Sequence, residues 1–137
     1  MLDRARLVTL CECRDFMAES LGKPIGLEDL AKHAGYSPFH LHRLFRDAFN
    51  QTPHEFLTRE RLAKARTLLR TTDLPVWMIG LEAGYNSNST FVGWFKTHTG
   101  CTPTQYREDA RSSFQLGRLW APRFIPTCFY RRARLND

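Results

Sequence analysis

Apolar positions recur at helical spacing almost from the start of the chain. Leu10, Cys13, Met17 and Leu21 follow one another at intervals of three and four, which places them on one face of an α-helix. They predict a first helix from Arg4 to about Leu21, ended by Gly22-Lys23-Pro24. Leu27, Leu30, Ala31 and Ala34 continue the pattern in a second helix, which Gly35 ends by supplying the positive φ of a helix C-terminus. Ser37 caps a third helix with Pro38 at its first position. Its buried stripe is Leu41, Leu44, Phe45 and Ala48, and its outward stripe is Pro38, Phe39, His42, Arg43 and Arg46. Thr52-Pro53-His54-Glu55 is a capping box with proline inside the first turn. The helix it opens runs through Phe56, Leu57, Leu62, Ala65, Leu68 and Leu69 to about Arg70, roughly 18 residues or 27 Å at 1.5 Å per residue.

The pattern then repeats. Leu27, Leu30, Ala31, Ala34, Gly35 and Tyr36 match Val76, Ile79, Gly80, Ala83, Gly84 and Tyr85, 49 positions later. Asn86 is an insertion, and beyond it the offset is 50. Ser37, Leu41, Leu44, Phe45, Thr52, Pro53 and Phe56 fall on Ser87, Phe91, Trp94, Phe95, Thr102, Pro103 and Tyr106. The expected fold is all-α and bilobal: about seven helices in two helix-turn-helix units, residues 27–49 and 76–99, joined by the connecting helix 53–70. A final helix spans 103–109, so the folded domain occupies 1–110, followed by a basic tail, 111–137. In that tail Phe124-Ile125-Pro126-Thr127-Cys128-Phe129-Tyr130 fits a short strand, a packed extended segment or disorder equally well.

Composition narrows the class. The 137 residues are 42% hydrophobic and 25% charged, which excludes a mainly disordered or low-complexity chain. No apolar run reaches the roughly 18–20 residues of a membrane span, and Met1-Leu2-Asp3-Arg4-Ala5-Arg6 does not open a signal sequence, so a cytoplasmic protein without membrane partners is expected. Cys11 and Cys13, two apart on a helix, point about 200° from each other. Cys101 and Cys128 stand alone. Isolated reduced thiols fit this spacing better than disulfides or a Cys11/Cys13 sensor. The net charge of +6 favours a polyanionic partner. Residues 1–110 hold 14 Lys and Arg against 13 Asp and Glu, however, while 111–137 hold six Arg against Asp137. The repeat itself is close to neutral, so any affinity it has for nucleic acid rests on where its charges stand. Arg131, Arg132 and Arg134 in the tail are expected to add nonspecific phosphate attraction.

A helix, a glycine turn and a second helix with an outward polar and aromatic stripe is how a recognition helix is offered to the major groove. Two such units a helical turn of DNA apart suit successive grooves of one duplex. The chain resembles the AraC/XylS family of bacterial transcription regulators over about residues 7–108. The likeness rests on Leu30-Ala31, Ala34-Gly35-Tyr36-Ser37, Leu41, Leu44-Phe45, Thr52-Pro53, Phe56, Arg61-Leu62, Ala65 and Leu68-Leu69. It rests above all on Ile79, Ala83-Gly84-Tyr85, Ser87, Phe91, Phe95-Lys96, Gly100, Thr102-Pro103 and Tyr106-Arg107. The resemblance implies binding to double-stranded promoter DNA, action on RNA polymerase, and base reading by Phe39, His42 and Arg43. Their chemistry suits this: Arg43 can bond guanine O6 and N7 together, His42 a purine edge, and Phe39 a thymine methyl. Burial of Phe39 under Leu2 or the tail, and a solvated Arg43, are the bland alternatives.

The second recognition helix offers Asn88, Ser89, Thr90, Val92, Gly93 and Lys96. Gly93 stands where many family members carry an arginine, so weaker and more degenerate readout is expected here. Asn88 suits adenine and Val92 a thymine methyl, whereas Ser89 and Thr90 suit a base or a phosphate. Backbone anchoring is assigned to Ser37, His40, Arg46, Arg61, Ser87, Thr90 and Lys96. A salt bridge between the lobes is an equal reading of Arg61. His33, His54 and His98 suit surface or capping roles. Trp77 suits packing against the connecting helix or, more sharply, a partner surface.

No nucleophile motif, glycine-rich phosphate loop or metal cluster is present in the sequence, so neither catalysis, nor a metal, nor a cofactor is expected. The expectation is a sequence-specific regulator, monomeric on DNA. The alternatives are a fragment of a larger effector-regulated protein or DNA-repair methyltransferase, and a module that docks on RNA polymerase with little base readout.

Overall fold

Seven α-helices and no strand make up residues 2–117, which are the residues the computed structural model describes. They are α1 (Arg4–Glu19), α2 (Leu27–Ala34), α3 (Pro38–Phe49), α4 (Pro53–Thr71), α5 (Val76–Glu82), α6 (Asn88–Thr99) and α7 (Pro103–Gly117). Two compact units divide within α4, the first reaching Arg61 and the second starting at Leu62.

In the first unit Leu10, Cys13 and Met17 of α1 close over Leu30 and Ala31 of α2, Leu41 and Phe45 of α3, and Phe56 and Leu57 of α4. The periodic apolar positions are thus the ones that lose water, each large side chain contributing about 1.5–3 kcal/mol on burial. Phe45 meets Phe49 and Phe56 edge to face, at centroid distances of 4.7 and 5.9 Å. The second unit repeats this with Ala65 and Leu69 of α4, Ile79 and Ala83, Phe91 and Phe95, and Tyr106.

Helix ends follow local chemistry. The Asp3 carboxylate accepts the Arg6 N–H at 2.8 Å and starts α1. Thr52 and Glu55 exchange both bonds of a capping box, at 3.1 and 2.8 Å, and Thr102 and Gln105 repeat it at 3.2 and 3.1 Å. Gly35, at φ 73°, turns the chain between α2 and α3.

Two boundaries differ from the sequence reading. The first helix stops at Glu19, although Leu21 beyond it is still buried. The last helix continues past residue 109 to Gly117. Ala110 lies one turn beyond Tyr106 and is buried like it, and no proline or glycine interrupts the chain before Gly117. Arg111, counted with the basic tail, is therefore helical and pairs with Asp73. Residues 118–137, including Cys128, Arg131, Arg132, Arg134 and the apolar stretch 124–130, lie outside the described residues.

The two cores are not copies. Where the first has Ala31 and Leu41, the second has Gly80 and Phe91. A Cβ on Gly80 would lie 3.0–3.1 Å from three Phe91 atoms, so the smaller residue on α5 makes room for the larger one on α6. Arg107 of α7 donates from Nε to the Leu69 carbonyl at 3.3 Å and from Nη2 to the Leu74 carbonyl at 2.5 Å. It binds the end of α4 and the segment after it to α7. The first unit has the buried Leu57 at the matching position.

Candidate nucleic-acid interface

Each unit offers solvent the outer face of the helix that follows its turn. On α3, Phe39 is 73% exposed, and Arg43 and Arg46 stand in solvent on the same stripe. Leu2 packs against the first core and leaves that aromatic open. His42 is half-buried. It turns from the open stripe towards a hollow of about 220 Å³, which it lines together with Met17, Leu30, His54 and Leu57. His40 is exposed, its ring edge-on to Tyr36 at 5.1 Å.

On α6, Asn88, Ser89, Thr90, Gly93 and Lys96 are exposed, and Val92 is half-buried like His42. The fourth position after each cap residue's proline or asparagine therefore faces the flank in both units. The open positions include Phe39, Arg43 and Arg46 on α3, matched in the repeat by Ser89, Gly93 and Lys96 on α6.

The caps shape what the helix ends can bind. Ser37 Oγ accepts the His40 N–H at 3.2 Å, and Ser87 Oγ accepts the Thr90 N–H at 3.4 Å. Ser87 and Ser89 also share a hydroxyl hydrogen bond of 2.9 Å. The serine spacing i, i+2 beside a cap, visible in the sequence, is what permits this bond. The serine oxygens thus serve their own helices, which leaves the N–H groups of Phe39, Asn88 and Ser89 pointing outward for an anion.

The other singled-out residues separate from this face. Arg61 is half-buried within α4. His33 stacks on Phe16 at 5.2 Å, and His98 Nδ1 lies 2.9 Å from the Trp94 carbonyl. Trp77 is 52% exposed on α5, with Leu81 one turn further at 45%. Cys11 and Cys13 are free thiols, and Cys101 is buried beside Thr99; burial pushes the Cys13 thiol up, and the Glu12 carboxylate adds to it. Among the described residues no three His, Cys, Asp or Glu side chains could hold a metal ion together. None of the described helices is long and apolar enough to cross a membrane.

Two separate cores, each presenting a recognition helix after a glycine turn, define a DNA-binding domain of paired helix-turn-helix units. A family model described as a helix-turn-helix domain matches residues 30–109. The regulatory protein SoxS of Salmonella typhimurium is 36% identical over 93 residues, covering 68% of this chain and 87% of SoxS. The HTH-type transcriptional activator AarP of Providencia stuartii is 35% identical over 88 residues, 64% of this chain and 65% of AarP. Among solved structures, the DNA-binding domain of the global transcriptional factor AdpA, in complex with a target DNA, aligns with a TM-score of 0.72 at 28% identity. That alignment covers 77% of this chain and 95% of that one. The chain belongs to the AraC/XylS family of DNA-binding transcription regulators.

Proposed function

We propose that this chain regulates transcription by laying α3 and α6 in successive major grooves of promoter DNA, as a cytoplasmic protein that is monomeric on its site and contacts RNA polymerase. No catalytic step is part of this reading. The observation that carries it is the open stripe of α3, where a 73% exposed phenylalanine stands beside Arg43 and Arg46 without a core to cover it. Large exposed aromatics on a polar helix face favour a ligand with apolar spots among acceptors, which is what thymine methyls and guanine edges provide.

In this reading Phe39, His42 and Arg43 read bases in one half-site, and Asn88, Ser89 and Val92 in the other. Ser37, His40, Arg46, Arg61, Ser87, Thr90 and Lys96 hold the backbone. The half-buried settings of His42 and Val92 make them contacts of the helix flank. The α4 helix of 19 residues rises about 28 Å at 1.5 Å per residue, and a modest bend of the duplex accommodates a span below the groove repeat of about 34 Å. Selection of bound DNA from a random pool tests the whole reading. The expected product is one motif of two half-sites about 10 base pairs apart. Uniform, salt-sensitive binding of every sequence would instead mark a module without base readout.

A further inference from the structure

Helix α1 has two apolar faces, and the core of its unit covers one of them. Leu10, Cys13 and Met17 point into that core. Leu7 and Val8 stay 40% and 51% exposed, and Cys11 beside them is half-buried. At roughly 100° per residue, Arg4, Val8, Cys11, Asp15 and Ala18 fall within an arc of about 80°, centred roughly 150° from the buried stripe. They follow one another at intervals of four, three, four and three, the spacing by which one helix lies along another. None of the five belongs to the core of either unit, and Arg4, Asp15 and Ala18 are exposed.

The charges on this seam say what fits it. It opens with a cation and closes on an anion, with Val8 and Cys11 between them. Arg4 makes no ion pair among the described residues, and the Asp15 side chain is 63% exposed beside Arg14. A second α1 laid antiparallel about a two-fold axis sets Arg4 against Asp15 of the other copy and Val8 against its Cys11, and the same pairs recur in reverse. The seam is thus its own complement, as an isologous contact requires. A parallel pair would instead set like charges together at both positions. We propose that the outer face of α1 is a self-association surface, on which a second copy of this chain docks antiparallel. The contact uses none of the residues assigned to DNA, so it goes beyond that reading and is compatible with one chain per DNA site. Two helices of 16 residues bury less than the area of about 1,200 Å² at which stable complexes begin. The pair is therefore a transient one that forms at high concentration.

The test is sedimentation velocity of the full chain, without DNA, from about 10 µM to about 1 mM, the range suited to a contact of this size. The native protein should pass from monomer towards dimer across that range. Arg4→Asp and Asp15→Arg should each weaken association at least about ten-fold, because each pair then carries two like-charge contacts. Both positions are exposed, so Tm should change little. Mixing the two variants in equal amounts should restore association, and so should the double variant Arg4→Asp/Asp15→Arg, since opposite charges face each other again in both. A native protein that stays monomeric throughout overturns the proposal. So does a dimer that either single reversal leaves intact, or one that neither the mixture nor the double variant restores, because another face would then hold it.

Discussion

The two units use one template for opposite ends. Where α3 shows solvent Phe39, Arg43 and Arg46, α6 shows Ser89, Gly93 and Lys96. Inside, the direction reverses: the first unit packs Leu41 and Leu44 where the second places Phe91 and Trp94, with Tyr85 4.6 Å from the Trp94 ring. The first recognition helix exposes one aromatic and two cations while burying Phe45, whereas the second turns Phe91, Trp94 and Phe95 towards its core. Surface chemistry and core chemistry vary independently on this scaffold, because the stripes lie on different faces of the same helix. Divergent readout therefore requires no change of fold.

This contrast can be broken experimentally, and the largest effect concerns how the second unit is held. Arg107→Ala removes two charge-assisted bonds to carbonyls, and a loss of about 3 kcal/mol is expected in urea denaturation. A loss below about 1 kcal/mol would mean that the guanidinium is merely a solvated group. Next comes the core exchange. Gly80→Ala should cost about 2 kcal/mol by overpacking against Phe91, and the double variant Gly80→Ala/Phe91→Leu, which recreates the Ala31 and Leu41 pair of the first unit, should recover most of it. Strict additivity in that double-mutant cycle would separate the two positions. Smaller still are the caps: Ser37→Ala and Ser87→Ala should each lower stability by about 1 kcal/mol, read from Tm.

The smallest effect concerns the thiols. Native protein should alkylate at the half-buried Cys11, while the buried Cys13 and Cys101 react only on unfolding. Burial raises the Cys13 thiol above its ordinary value of 9.0, with Glu12 adding to it. The folded state therefore holds its proton more tightly than the unfolded one. Its contribution to stability is whole below that value and declines as pH rises beyond it. Urea midpoints measured at increasing alkaline pH should show that decline, and Cys13→Ala should lessen it.

Much of this was legible in the residues because it depends on local order. Leu10, Cys13 and Met17 announced their buried face by spacing alone, and Thr52 with Glu55 announced a helix start by chemistry alone. The continuation of α7 was not legible, since Ser112 and Ser113 weaken the helical signal that burial of Ala110 sustains. Nor was the role of Arg107, whose acceptors at Leu69 and Leu74 lie 38 and 33 positions away. On the candidate interface, spacing placed Phe39 and Arg43 on the open stripe but also placed His42 there. A period of 3.6 gives direction around a helix, and only the neighbouring α1, α2 and α4 decide that His42 borders the hollow lined by Met17, Leu30 and His54.

The central claim is that the first half reads sequence and the second mostly holds. It is tested most directly by measuring affinity for every single-base variant of a selected site, with the native protein and with Arg43→Ala. The account predicts penalties of about 1–3 kcal/mol per wrong base across the α3 half-site, clearly smaller ones across the α6 half-site, and loss of guanine selectivity at one α3 position in Arg43→Ala. Equal penalties in both half-sites, or an Arg43→Ala protein that weakens on all sequences alike, would contradict it.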